Sequence, residues 1–487
     1  MTENPRLRAE TIVRNGTVID GAGGPRVRAD VAVADGRIAA LGELSATQAE
    51  REIDATGRVV APGFIDVHTH DDRALLSSPE MAMKVSQGVT TVVIGNCGIS
   101  LSPLDLGVPP PPPMDILGGP DWYRFPTVGA YRAQLEAAPP ALNVTMLVGH
   151  STLRLGAMDD LGRAASAEEI SGMREALAEG MAAGAIGFST GLVYATNAAA
   201  PTDEVVALAE VSAGFDGLYV THMRSEADAV ETALDEAFEI GKRAGLPVVV
   251  SHHKCAGAAN FGRSTDTLAR IEAARGRQRV GLDVYPYTAG STVLVPDLVE
   301  ESARVLITWS APKPEAAGRD LADLAAEMDC SRRAVAEALV PGGAIYFLMD
   351  EEDVRRILAY PHSMIGSDGL PHDAHPHPRL WGTFPRVLGH YARDLGVFPL
   401  EQAVHKMTGL SAATFGLADR GVIEVGAHAD LVVFDPATVI DRASYENPSV
   451  TAAGIEMVMV NGHPVWVDDA ATGERPGRVL ERTATAA

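Results

Sequence analysis

Pro62-Gly-Phe-Ile-Asp-Val-His-Thr-His-Asp-Asp72 is a short apolar run that ends in two histidines and two aspartates. An apolar run of that length, with Pro-Gly before it and polar residues after it, reads as a buried strand. Histidines two apart on an extended chain project to the same side. The imidazoles of His68 and His70 can therefore meet one ion at the strand's C-terminal end. A His-x-His pair also occurs as two surface histidines, so the reading depends on what the rest of the chain supplies.

Further strand-like segments follow 63–68, at 89–95, 144–148, 185–189, 218–222, 247–252, 280–284 and 363–368. Helical stretches intervene, for example at 167–183, 228–244 and 265–275. Eight such units over about 350 residues predict an α/β fold, a (β/α)8 TIM-type barrel. Metal-capable side chains then recur where its strands end. Cys97 lies in Ile94-Gly-Asn-Cys-Gly98, His222 in Thr221-His-Met-Arg-Ser-Glu226, His252 in Val250-Ser-His-His-Lys254 and Asp368 in Gly366-Ser-Asp-Gly-Leu-Pro371. Each alone has an ordinary structural explanation. Together with His68 and His70 they form a set at the face where barrel enzymes carry their active sites.

His252 and His253 cannot both face the barrel axis if the strand continues through them. One ordinary βα unit separates His222 from His252, which favours His252 as the ligand and leaves His253 to support or packing. Imidazole, thiolate and carboxylate together suit Zn2+ better than Mg2+ or Ca2+, which prefer oxygen ligands.

Composition limits the partners. The chain has 487 residues, with Lys+Arg 40 against Asp+Glu 64, a net charge of −24. Nucleic acid and anionic membrane both need a basic footprint, so neither is expected as a partner. A hydrophobic fraction of 46% with 21% charged residues excludes global disorder. Cys97, Cys255 and Cys330 are too few for a disulfide framework. No apolar run is long enough to span a bilayer, and Met1-Thr-Glu-Asn-Pro-Arg-Leu-Arg8 has no apolar signal core. A cytoplasmic protein is expected. Nothing in the sequence sets its oligomeric state, and a monomer satisfies it.

The two ends differ from the middle. Asn15-Gly16, Asp35-Gly36 and Asn461-Gly462 sit between alternating apolar residues and signal hairpin turns. The expected organisation is a small β-sandwich domain built from residues 1–61 and 416–487, flanking a barrel at 62–415. Much more chain separates residue 284 from Asp368 than one βα unit needs. The surplus, at about 286–345, follows a barrel strand and predicts a lid over the catalytic face. Prolines 109–113 predict a stiff loop.

These motifs resemble the amidohydrolase superfamily and, within it, the N-acyl-D-amino-acid deacylases (D-aminoacylases). The resemblance is carried by Gly63-Phe-Ile-Asp-Val-His-Thr-His-Asp71, Gly95-Asn-Cys-Gly98, Ser189-Thr-Gly-Leu-Val-Tyr194, Thr221-His-Met-Arg224 and Ser251-His-His-Lys-Cys255. Asp283-Val-Tyr-Pro-Tyr-Thr-Ala-Gly-Ser291, Gly366-Ser-Asp-Gly-Leu-Pro-His-Asp373 and residues 377–389 extend it over essentially the whole chain. It implies one tightly held Zn2+ on Cys97, His222 and His252, with a weaker second position at His68, His70, Cys97 and Asp368. Cys97 would stand where most two-metal relatives use a carboxylated lysine. The implied activity is hydrolysis of N-acyl-D-amino acids to a carboxylate and a free D-amino acid, with Asp368 as general acid/base.

The resemblance also implies Lys254, Tyr285 and Arg379 around the substrate's α-carboxylate, with Tyr194 and Ser291 lining the site. A carboxylate substrate needs a local cation on so acidic a protein, and Lys254 beside a ligand supplies one. Two rival readings are a cyclic-amide hydrolase of the dihydropyrimidinase kind on the same fold, and a barrel kept as a non-catalytic assembly protein.

Overall fold

In the computed structural model, which describes residues 8–483, eight parallel strands pair in chain order. They are β1 (Phe64–Asp66), β2 (Val89–Ile94), β3 (Asn143–Gly149), β4 (Gly187–Gly191), β5 (Leu218–His222), β6 (Val248–Val250), β7 (Val280–Val284) and β8 (Ser363–Ile365). Between β8 and β1 the ring closes just past the strand ends. There Thr69 bridges Gly369, and the Asp368 N–H donates to the His68 carbonyl at 2.8 Å. The reading of an absent signal core falls largely on residues 1–7, outside the described range.

The strands are apolar on both faces because both are covered. Ile65, Val93, Leu147, Leu218, Val249 and Met364, one from each of six strands, share the cluster that fills the barrel. Their alternates, such as Val92, Ile94, Val248 and Val250, belong to the larger core shared with the helices. β4 begins later than residue 185. The turn that ends the preceding helix, Ala167–Ala182, takes up Gly184 and Ala185, whose N–H returns to the Gly180 carbonyl.

Strands from both chain ends join one nine-stranded sheet. Its seam is Val59–Pro62 running antiparallel to Leu431–Phe434. Val13, Val31, Val33, Val60, Leu431, Val433 and Met459 form its core. Asp35-Gly36 and Asn461-Gly462 both take positive φ at the two central turn positions, as tight hairpins between right-twisted strands require. Asn15-Gly16 does not turn. It lies inside the strand Arg8–Val18 as a bulge, where the register slips between Val13 and Gly16. Asn15 takes the left-handed conformation at φ 61, and its side chain donates to Asp54.

The chain after β7 builds a three-stranded antiparallel sheet in which Gly342–Phe347 lies between Ala289–Val293 and Arg304–Ser310. Helices Leu321–Glu327 and Arg332–Leu339 cover it, giving a separate core around Val299, Ile307, Leu321 and Val335. Its closing strand runs to Phe347, past the expected boundary at 345. Among the described residues no helix is long and apolar enough to cross a membrane.

Candidate metal centre

Five of the six expected ligands sit beyond their strands, on the turns that follow. β1 stops at Asp66, β2 at Ile94, β6 at Val250 and β8 at Ile365, short of His68, Cys97, His252 and Asp368. Only His222 belongs to its strand, as the last residue of β5. Cys97, His252 and Asp368 take left-handed backbones, at φ 55, 33 and 52. For non-glycine residues this is a strained choice, common where a side chain must be aimed. Strand alternation therefore does not decide between His252 and His253, because the strand has ended. His252 turns inward through its own left-handed backbone, while His253 turns outward to Thr267 Oγ1 at 2.8 Å.

The supports for these turns are polar and buried. Asp283, at the end of β7, holds two of them. One carboxylate oxygen accepts from the His252 N–H at 2.9 Å, and the other lies 3.4 Å from His68 Nδ1. Asp66 accepts from the Ser367 N–H at 2.8 Å and from Lys84 Nζ at 2.7 Å, and Lys84 also donates to Ser367 Oγ. The segment before Asp368 is thus tied to β1 from below. Gly95 has φ 77, and a Cβ there would overlap the Leu147 carbonyl, so the turn into Cys97 requires glycine.

Cys97 is the hub. Its Sγ lies 3.2 Å from His68 Nε2 and 3.4 Å from His252 Nε2. Asp368 Oδ1 lies 3.3 Å from His70 Nε2 and 3.6 Å from His68 Nε2. The donor atoms fall into two groups able to hold a metal, His68, His70, Cys97 and Asp368 in one and Cys97, His222 and His252 in the other, each within 4.8 Å. Cys97 belongs to both.

Charge balances within the cluster. Burial pushes the Cys97 thiol pKa up, but His68 and His252 outweigh it and bring it well below the ordinary thiol range. Burial likewise opposes ionisation of Asp368, and Arg379 with His68 and His70 holds it as a carboxylate. His70 is driven against its burial, by Asp368 and Cys97, up to about 9. Protons on imidazoles thus offset a thiolate and a carboxylate, and a bound cation would replace them in doing so. His222 Nδ1 and His70 Nδ1 are buried with no hydrogen-bond partner among the described residues. A mixed S, N and O set of this kind fits zinc.

The expected substrate residues gather on one side of this cluster. Tyr285 lies between two cations, with the Arg379 guanidinium 4.6 Å and the Lys254 ammonium 5.6 Å from its ring centroid. Each cation already has a carboxylate partner: Arg379 pairs with Asp368 at 2.9 Å, and Lys254 with Glu226 at 2.6 Å. The Tyr194 ring stands 5.1 Å from that of His222, and its hydroxyl meets Thr292 Oγ1 of the inserted sheet. Ser291 turns its hydroxyl to the Ala344 carbonyl, within that sheet, and offers its own carbonyl to Arg379. Sequence reasoning missed Glu226 and Asp283. Asp283 opens one of the motifs that carry the resemblance and Glu226 lies just beyond another, but no spacing rule marks a carboxylate on an irregular turn.

A parallel barrel with a cysteine-centred ligand cluster at its C-terminal face defines a class, the barrel metallohydrolases. The chain belongs to the amidohydrolase family, whose profile matches residues 51–273 and 266–466. A D-aminoacylase of Alcaligenes xylosoxydans xylosoxydans is 55% identical over 484 residues, 99% of this chain and 100% of that one. An N-acyl-D-glutamate deacylase of the same organism is 50% identical over 481 residues, 99% of this chain and 98% of its own. Among solved structures, an N-acyl-D-glutamate deacylase from Bordetella bronchiseptica, complexed with zinc and a phosphonate mimic of the tetrahedral intermediate, superposes with TM-score 0.94 at 49% identity. That match covers 97% of this chain and 100% of the other.

Proposed function

We propose that the protein is a zinc-dependent N-acyl-D-amino-acid deacylase, a hydrolase of linear amides that releases a carboxylate and a free D-amino acid. The carrying observation is Cys97, shared between two ligand groups, with Lys254 and Arg379 flanking Tyr285 beside it. Cys97, His222 and His252 would hold the principal Zn2+, and His68, His70, Cys97 and Asp368 a weaker second ion. Bound zinc supplies Lewis acidity, bringing a water toward ionisation near neutral pH and polarising the amide carbonyl.

The chain's own groups do the rest. Lys254, Arg379 and Tyr285 bind the α-carboxylate, which fixes the acyl group over the ligand cluster. Tyr194 and Ser291 line the pocket. Asp368, held ionised, accepts a proton from the attacking water and passes it to the leaving amine, which departs poorly unless protonated. The insertion at about 286–345 serves as a lid, set on a barrel at 62–415 beside a small domain of residues 1–61 and 416–487. We read the protein as cytoplasmic and able to act as a monomer. The D-selectivity follows from similarity to the D-aminoacylase and the N-acyl-D-glutamate deacylase.

A chiral panel tests this reading. Zinc content is measured on the same sample that is offered the D and L forms of N-acetylmethionine and N-acetylglutamate, with hydantoin and dihydrouracil alongside. Turnover of a D-acyl substrate with about one zinc per chain is expected. Turnover of the cyclic amides alone would overturn it in favour of the dihydropyrimidinase reading.

A further inference from the structure

Glu226 faces two of the expected ligands and the lysine beside them. Oε1 lies 2.9 Å from His252 Nδ1 and 2.6 Å from Lys254 Nζ, and Oε2 lies 3.5 Å from His222 Nε2. His252 meets Cys97 through Nε2, so Glu226 faces the ring nitrogen on the far side. The Ala256 N–H donates to the Glu226 carbonyl at 2.7 Å, which ties the turn after β5 to the turn after β6. With its side chain 13% exposed, Glu226 is little screened by water.

A plain Lys–Glu ion pair would not need this arrangement. One oxygen would serve the lysine, and the other would turn to solvent or a backbone N–H. Here the second oxygen faces another expected ligand. Histidines that bind metal commonly donate their remaining N–H to a carboxylate, which fixes the tautomer and the ring plane. Lys254 Nζ lies 2.8 Å from the same Nδ1, so the carboxylate oxygen, the ammonium and this ring nitrogen meet in one cluster, with Nε2 left toward Cys97.

We infer that Glu226 is a positioning residue with two roles, orienting His252 and His222 as metal ligands and holding Lys254 where the substrate's α-carboxylate binds. The inference rests on the deacylase reading for its substrate half only. One carboxylate thereby sets the distance between the ion that activates the amide and the cation that anchors the acid.

The test is Glu226→Gln in the full chain, which keeps the shape but removes the charge and leaves one acceptor oxygen. Zinc affinity is measured by competition with a chelating dye, independently of turnover, and KM and kcat are measured at saturating zinc. Zinc binding weakened by about 10- to 100-fold is expected, together with a tenfold or greater rise in KM for N-acetyl-D-methionine and a smaller change in kcat. Lys254→Met should raise KM similarly while zinc affinity stays within about threefold. Wild-type zinc affinity in E226Q, or a change in only one of the two readouts, overturns the dual role. Should E226Q not fold, Glu226→Asp replaces it, with the charge kept and the reach shortened, and the same criteria apply. If the wild type binds zinc but hydrolyses no acyl amino acid, the deacylase reading fails while the zinc arm still decides the ligand half.

Discussion

Asp368 combines two environments that normally exclude each other. It is deeply buried, which favours the neutral acid, and it is surrounded by Arg379, His68 and His70, which favour the anion. The anion prevails, which is the form the proposed proton transfer from water requires. Asp368→Ala should lower turnover by about a thousandfold while zinc stays at Cys97, His222 and His252. Steady-state kinetics with metal analysis of the same sample checks both, and near wild-type turnover would remove Asp368 from the mechanism. The ligand residues were legible in the sequence because each ends an apolar run. Glu226 and Asp283 were not, since their value comes from which nitrogen they face, a property of folded turns.

At the scale of elements, the barrel strands bring the ligands near one another and the turns after them aim the side chains. The strands are readable from their apolar runs, though β1, β6 and β8 end earlier than those runs suggest. The apolar run carries the eye on into the histidines, whereas the continuous strand pairing has already ended. Gly95 is where this matters most. Gly95→Ala forces a side chain onto a left-handed residue against the Leu147 carbonyl. A loss of about 2 kcal/mol or more is expected, with weaker zinc retention. Denaturant titration and zinc content measure the two, and unchanged values would show that the turn tolerates a Cβ. Asn15-Gly16 teaches the converse: a dipeptide that signals a hairpin can equally make a bulge, and only the partner strand decides.

Across the whole molecule, the inserted sheet, the loop after β8 and the long excursion between β2 and β3 come together near Asp373. Its carboxyl is pushed up to about 7 by burial, next to Thr308 of the insertion and within reach of Asp115. A carboxyl raised from its ordinary value near 4 loses its proton earlier in the unfolded chain than in the folded one. Stability therefore falls as pH rises between about 4 and 7, and the cost is complete above that window. Asp373→Asn should match the wild type near pH 4 and exceed it above pH 7, by up to roughly 4 kcal/mol. Thermal midpoints across that range test it, and a pH-independent difference would contradict it. This convergence was invisible in the sequence, where the three stretches are far apart and carry no common pattern.

The seam between Val59–Pro62 and Leu431–Phe434 joins the start of the barrel to chain that is synthesised after the whole barrel. Gly63, which opens the first barrel strand, donates its N–H to the Asp430 carbonyl at 2.8 Å. On the ribosome, the strand that leads to His68 and His70 therefore waits with an unpaired edge until the chain around Asp430 has emerged. An exposed apolar edge of that kind invites pairing with other nascent chains. Pairing with Leu431–Phe434 closes that edge, so the sheet beside the first two histidines is assembled only from segments far apart in the chain.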